Sequence, residues 1–499
     1  MSQSQTPDRP ELAAIREHMI IDGKPCTEGS GQTVPVYDPA TGAVIAHQIE
    51  AGPAQVDQAV QAARRAFTGS AWGDMVPAGR ERLLLNLADL LEQHGDELAR
   101  LETLNNGKLL PLSHGLEVAA GAQWLRYMAG WATKLSGDTL SLSIPFPPGV
   151  KYNAYTRLEP VGVVAAIVPW NFPLLMAIWK IAPAVATGCT IVLKPAEETP
   201  LTAIRLAELA LEAGFPPGVI NVITGRGEVT GAALVAHPGV NKISFTGSTE
   251  VGRLIGRQAM DDMKRVSLEL GGKSPVIIMD DCDVELAVQG AAGAIFFNQG
   301  QVCTAGSRLF VQRGIYDKVV AGLAKVAESL TIGSGFDPAT QIGPMVSARH
   351  RERVMSYIDL GRAEGGRVLA GGQAYEGDGF FVRPTVFAEL APDARVVREE
   401  IFGPVVVAAS FDTEDQAVAM ANDTRFGLGA SIWSNDLNRV NRLVPRIQAG
   451  TVWVNTHNML DPHMPFGGVK QSGIGREHGR AAVEAYLESK SVCIAYPAT

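Results

Sequence analysis

The chain is poor in features that announce a chemistry unaided. Its five cysteines, Cys26, Cys189, Cys282, Cys303 and Cys493, form neither a CxxC pair nor a zinc-like Cys/His spacing. That excludes a metal ribbon or a disulfide framework as the organising device. So few cysteines in 499 residues fit a reducing compartment, and the cytosol is the expected location. Residues 1–10 lack the apolar centre of a signal peptide and are expected to form a loose tail, and no uninterrupted apolar run reaches membrane length. Lys and Arg number 43 against 52 Asp and Glu, a formal net charge of -9. With no dense basic run, nucleic-acid binding is not expected. The expected partners are small molecules or further copies of the chain.

What is present is an ordinary globular composition, 46% hydrophobic and 19% charged, in a chain too long for one hydrophobic core. Short apolar runs at 161–168, 190–193, 219–223 and 242–245 alternate with helical patterns at 174–185 and 201–213. This alternation predicts an α/β fold with a doubly wound parallel sheet. A second series starts after Leu270-Gly271-Gly272 with Val276-Ile277-Ile278, followed by helical patterns at 284–297 and 316–329. A domain boundary is therefore expected near Gly271. Residues 150–158 and 492–496 read as strands outside both sheets, a ribbon suited to pairing with a neighbouring subunit.

Among the cysteines, Cys189 enters the apolar run Thr190-Ile191-Val192-Leu193 and reads as core, while Cys282 sits among Asp280, Asp281 and Asp283, whose field suppresses thiolate. Cys303 differs: it stands in Gly300-Gln301-Val302-Cys303-Thr304, where a helix runs out into a loop, and is placed for attack. Glu269 lies in the strand-like Val266-Ser267-Leu268-Glu269-Leu270, where desolvation raises a carboxyl pKa toward that of a useful base. No GxGxxG follows Val168; the loop there reads Pro169-Trp170-Asn171-Phe172-Pro173. Gly225-Arg226-Gly227 and Gly473-Ile474-Gly475 are lone GxG fragments of the kind found in turns. Phe245-Thr246-Gly247-Ser248 reads as a strand end followed by a capped helix start, which offers free N–H groups to a pyrophosphate. Glu197, in Lys194-Pro195-Ala196-Glu197, stands where dinucleotide folds place an acid for ribose hydroxyls. His457 and His463 have no clustered partner and are expected to pack or face solvent.

Taken together and in order, these segments, with Leu268-Glu269-Leu270-Gly271-Gly272-Lys273, Glu399-Glu400-Ile401-Phe402-Gly403-Pro404 and Pro465-Phe466-Gly467-Gly468, resemble the aldehyde dehydrogenase superfamily over nearly the whole chain. The resemblance implies NAD-dependent oxidation of an aldehyde to a carboxylic acid. It also implies three parts: an NAD-binding domain (1–136 and 159–271), a catalytic domain (272–476), and an oligomerisation ribbon with C-terminal segment (137–158 and 477–499). A homotetramer built as a dimer of dimers is the implied assembly. By the same resemblance Trp170, Lys194, Glu197, Gly227, Gly247, Ser248 and Leu270 hold the adenosine and pyrophosphate side of NAD, and Glu400 and Phe402 position the nicotinamide side. Positions matching the substrate pocket are Phe172, Met176, Trp179, Phe297, Val302, Asn458, Leu460 and Phe466. They are mainly aromatic and aliphatic, with no cation to hold an acidic semialdehyde. Residues 455–462, 468–473 and Leu142-Ser143-Ile144-Pro145 are similar to the bacterial phenylacetaldehyde dehydrogenases, which makes phenylacetaldehyde or a related aryl aldehyde the expected substrate.

Residue chemistry gives the same reaction. A Cys303 thiolate adding to a carbonyl creates an oxyanion, for which the Asn171 amide and the Cys303 backbone N–H are the donors. Loss of hydride leaves a thioester, and its hydrolysis needs a base, assigned to Glu269. No metal is required. The alternatives are a broad-specificity or aliphatic/betaine-type dehydrogenase, a CoA-acylating enzyme, which lacks the base that Glu269 supplies, a Cys–His hydrolase, and a catalytically silent protein of the same fold. The last has no reason to keep Cys303, Glu269 and Asn171 together.

Overall fold

The computed structural model describes residues 15–375 and 377–498. The expected tail at 1–10 lies outside them. Each apolar run of the first series forms a strand: Val163–Ile167, Thr190–Lys194, Ile220–Val222 and Lys242–Thr246, joined by Arg265–Glu269. All five pair in parallel, with Val163–Ile167 next to both Thr190–Lys194 and Lys242–Thr246. Their side chains are apolar on both faces because both faces are covered. Val164 and Ala166 point into one core, and Val163, Ala165 and Ile167 into another on the opposite face. The helix Pro173–Thr187 covers the first face, while Thr249–Asp261 contributes Ile255 and Ala259 to the second.

The chain thus leaves the central strands in opposite directions between Val163–Ile167 and Lys242–Thr246, creating a crevice beyond their carboxyl ends. Loop 169–173 and Gly247-Ser248 both border it. At one edge Met19–Ile21 and Lys24–Cys26 extend this sheet in antiparallel fashion.

The second series forms a seven-stranded sheet in the order Arg367–Ala370, Thr385–Ala388, Val405–Phe411, Arg308–Gln312, Pro275–Ile278, Gly429–Trp433 and Thr451–Val454. All its neighbours are parallel except the Arg367–Ala370 edge. The helices Val284–Phe296 and Tyr316–Ser329 match the expected segments closely. The strands expected outside both sheets are Val150–Pro160 and Leu487–Pro497, paired antiparallel along their whole length, with Thr139–Leu140 beside them.

One expectation fails. Gly473-Ile474, read as a turn, is a short strand antiparallel to Leu268 and Glu269, and it closes the edge of the first sheet. Gly473 takes φ 149°, and a Cβ there would collide with the Leu268 carbonyl, so a side chain would break this pairing.

Candidate active site

The crevice opens into a cavity of about 620 Å³ bordered by both sheets, a size suited to a small-molecule ligand. Cys303 reaches it from the loop after Val284–Phe296, and Glu269 from the carboxyl end of Arg265–Glu269. Before the thiol, Asn298 and Gln299 both take left-handed backbone angles, φ 47° and 58°. Such angles are costly for side-chain-bearing residues and persist only when held. Here Asn298 Nδ2 donates to the Asn171 carbonyl (3.1 Å) and Gln299 Nε2 to the Pro344 carbonyl (3.2 Å). Asn171 in turn donates its side-chain amide to the Gln301 carbonyl (2.9 Å), tying loop 169–173 to the cysteine loop.

Burial pushes the Cys303 thiol up to about 12, and the Glu400 and Glu269 carboxyls add to the rise. The backbone N–H groups of Thr304 and Cys303 itself pull weakly the other way. The resting group is therefore a thiol that must lose its proton on demand. Glu269 is buried and neither carboxylate oxygen has a well-formed hydrogen bond. Desolvation first, and then the Glu477 charge, raises its carboxyl well above the usual range. Glu400 accepts from the Gly272 N–H (2.9 Å), and burial pushes its carboxyl up to about 7. Cys189 is a core residue, as expected. Cys282 is raised to about 11, with burial ahead of the aspartate field that the sequence suggested.

Of the residues singled out in the sequence, Trp170, Asn171, Gly247, Ser248, Glu269, Leu270, Cys303, Glu400 and Phe402 all border the cavity, with Met176, Trp179 and Phe466 on its apolar side. Ser248 caps the helix Thr249–Asp261, accepting from the Val251 N–H (3.3 Å). Trp170 meets Phe402 edge-on at 5.2 Å, and Trp179 tilts against Phe466 at 5.9 Å. The others are not among the residues that border the cavity. Phe172 stacks on Phe297 at 6.2 Å, Val302 is buried, and Leu460 packs at the margin of the core. Asn458 accepts from the Thr304 hydroxyl (2.7 Å). Lys194 is buried, donating to its neighbour's Pro195 carbonyl (2.8 Å) and lying 3.6 Å from Glu197. Gly227 opens a short π-helical turn, Gly227–Gly231, with open space where a Cβ would be.

Sequence reading missed a second set of lining residues: Glu198, Ser347, Arg349, His350 and Arg353. Ser347 caps the helix Ala348–Ala363, which brings the last three to the cavity. That capping serine was the only sequence signal. His350 sits against Trp170 at 4.9 Å and shares a 2.7 Å hydrogen bond with the Phe402 carbonyl; burial lowers it to about 4, leaving it neutral. His457, expected to pack or face solvent, packs: it bonds the Ser431 hydroxyl (2.9 Å) and the Thr304 carbonyl (2.8 Å) directly behind the thiol. No group of three or more potential metal ligands occurs among the described residues.

A half-buried thiol, a desolvated carboxyl and an amide side chain share one cavity at the mouth of a doubly wound sheet. The chain belongs to the aldehyde dehydrogenase family: the profile of the "Aldehyde dehydrogenase family" matches residues 26–492. It is similar to the phenylacetaldehyde dehydrogenase of Pseudomonas fluorescens, 58% identical over 98% of each chain. Among solved structures it is similar to the NAD+ complex of aldehyde dehydrogenase from Bacillus cereus, with a TM-score of 0.94 and 46% identity over 98% of this chain and 99% of that one. A mutant of the indole-3-acetaldehyde dehydrogenase of P. syringae, in complex with NAD+ and IAA, matches with a TM-score of 0.93 and 41% identity over 97% and 98% of the two chains.

Proposed function

We propose that the protein oxidises arylacetaldehydes, phenylacetaldehyde above all, to the carboxylic acids with NAD, through a thioester on Cys303. The observation that carries this reading is the shared cavity. Cys303 and the orphaned Glu269 lie on it together with the apolar wall of Met176, Trp179 and Phe466. The 58% identity to a phenylacetaldehyde dehydrogenase supports the substrate class.

The residues fit the cofactor. Thr246 Oγ1 is buried at the cavity without a partner, and the capped start of Thr249–Asp261 presents backbone N–H groups beside it. A Cβ at Gly271 would collide with the Glu400 carboxylate, keeping that wall slim. Trp170 and Phe402 offer apolar faces, Glu400 an acceptor, and Lys194 with Glu197 a second hydroxyl-binding pair further out. When bound, NAD accepts the hydride that leaves the substrate carbon. The chain's own residues do the rest. Cys303 loses its proton to solvent water as its sulfur bonds to the aldehyde carbon, and the carbonyl electron pair moves onto the oxygen. Asn171 Nδ2 and the Cys303 N–H stabilise the oxyanion, and Glu269 takes a proton from the water that releases the acid. Desolvation suits Glu269 to this work because a raised carboxyl is the stronger base.

Comparing kcat/KM for phenylacetaldehyde, hexanal, acetaldehyde, betaine aldehyde and succinic semialdehyde tests the reading. A ring contact contributes about 0.5–1.5 kcal/mol beyond area burial, so phenylacetaldehyde should lead acetaldehyde by roughly tenfold. A lead for betaine aldehyde would instead establish the aliphatic/betaine-type alternative. Glu197 should favour NAD over NADP, because its carboxylate accepts from a free ribose hydroxyl and repels a phosphate. Equal kcat/KM with both would remove it from the site.

We further assign the three-part division at about residues 136, 158, 271 and 476, with a homotetramer held by the ribbon. The ribbon leaves Leu142, Ile144, Phe146, Ile494 and Tyr496 exposed, apolar surface that a second copy would cover. Sedimentation would test the assembly. A cytosolic setting suits five cysteines that are all free.

A further inference from the structure

Behind loop 169–173, away from the cavity, three charged side chains are packed out of contact with solvent. Lys108 is 1% exposed, Glu102 1% and Glu117 0%. Burying such groups costs several kcal/mol each unless they are paired, so they persist only with partners. Lys108 Nζ donates to Glu117 Oε1 and lies 3.6 Å from Glu102 Oε1. The Thr202 hydroxyl donates to Glu102 (2.7 Å). Burial first, and then the Glu117 charge, raises the Glu102 carboxyl, and Lys108 lies closer to Glu117.

The pair's remaining bonding capacity goes to one short segment, residues 171–175. Lys108 Nζ donates to the Asn171 carbonyl (3.0 Å) and sits over the Phe172 ring, 4.5 Å from its centroid. The other Glu117 oxygen accepts the backbone N–H of Leu175 (2.7 Å). That N–H belongs to the unsatisfied first turn of Pro173–Thr187, whose N-cap residue Phe172 has no side chain able to cap it. Glu117 can reach it because Ser113–Ala119 is a π-helical turn, where one extra residue re-aims the side chains. Next to Lys108, Asn106 donates to the Trp170 carbonyl (2.7 Å). Asn171 is therefore gripped at its own carbonyl, at the ring that follows it and at the helix start beyond.

We propose that Lys108 and Glu117 are positioning residues for aldehyde addition: they set the backbone of Asn171 so that its side-chain amide faces the carbonyl oxygen as Cys303 attacks. This rests on the assignment of Asn171 as an oxyanion donor. Neither Lys108 nor Glu117 touches the substrate, and their effect passes through Asn171.

The test uses the full-length enzyme with the double substitution Lys108→Met and Glu117→Gln, which removes the cation and the carboxylate of the pair together. Four quantities are measured for it, for Asn171→Ala and for the triple variant: kcat and KM for phenylacetaldehyde at saturating NAD, the NAD Kd, and the rate at which iodoacetamide alkylates Cys303. Alkylation forms no oxyanion and reports whether thiol and loop are intact. Asn171→Ala should lose about 10²–10³-fold in kcat, the usual loss for an oxyanion donor. The double variant should lose at least about tenfold in kcat, with alkylation and NAD Kd within about twofold of the parent, and the triple variant should be little slower than Asn171→Ala. If Asn171→Ala is crippled while the double variant turns over normally, the positioning role is overturned and the oxyanion assignment stands. If alkylation falls in step with turnover, or the losses multiply in the triple variant, the pair acts by general support of the fold and the proposal also fails. Full activity in Asn171→Ala would remove the oxyanion assignment itself, and the positioning role with it.

Discussion

Two buried acids, Glu117 behind loop 169–173 and Glu269 on the cavity, meet opposite fates. Glu117 spends its oxygens on Lys108 and the Leu175 N–H, whereas both oxygens of Glu269 go without a well-formed bond. Burial is nearly the same, so burial alone does not distinguish a scaffold acid from a reactive one. The difference is whether the fold supplies partners. Where it does, the carboxylate holds a helix start; where it does not, the fold bears an unfavourable group of the kind that clusters at functional sites.

The largest effect expected is on the reactive side. Cys303→Ala should abolish aldehyde oxidation, with more than about a thousandfold loss in kcat, while the NAD Kd stays near normal. Retention of a tenth of the rate would transfer the nucleophile's role elsewhere. Glu269→Gln should slow turnover by about 10²–10⁴-fold, the usual worth of a general base, and leave acyl-enzyme on Cys303 visible by mass spectrometry. Fast steady-state hydrolysis in that variant would contradict the role.

Stability should divide the two regions by sign. Glu117→Leu takes the nearer carboxylate from buried Lys108, leaving it only Glu102 at 3.6 Å, and should cost up to about 3–5 kcal/mol, read as a marked fall in Tm at fixed protein concentration. Glu269→Leu removes an unpartnered carboxyl and should raise Tm slightly, by about 1–2 °C. Because the folded state raises the Glu269 carboxyl, it holds a proton there that the unfolded chain has lost. Stability should therefore decline as pH rises above the ordinary carboxylate value of about 4.3, and Glu269→Gln should flatten that decline. A fall in Tm for both leucine variants would erase the contrast. The gentlest test is the thiol: with Cys303 near 12, its alkylation rate should climb about tenfold per pH unit from 7 to 10 without levelling. Glu400→Gln should speed it at pH 8 by up to about tenfold.

Much of this was legible in the chain. Runs such as Val276-Ile277-Ile278 became buried strands because a fully covered parallel strand must be apolar throughout. Ser248 could be read as a cap because capping is local. Cys303 and Glu269 stood out because a thiol in a polar loop and an acid in an apolar strand both contradict their surroundings. What stayed hidden depends on distant partners. Lys108 looks like any lysine until Asn171, 63 positions on, accepts its proton donor. His457 gave no sign that it would reach the Thr304 carbonyl. His350 and Arg353 come to the cavity on a helix with no motif, and Gly473-Ile474 is too short for any periodicity to mark it as a strand.

That two-residue strand has a consequence for how the chain can be inherited. Without it, Arg265–Glu269 would be the open rim of a parallel sheet, a row of unpaired backbone groups ready to stick to a neighbour. The piece that covers this rim is supplied some two hundred residues later, after the second sheet has been traversed. Neither half can be excised, swapped or expressed alone as a clean module: a fragment ending at Gly271 would carry a bare, adhesive edge.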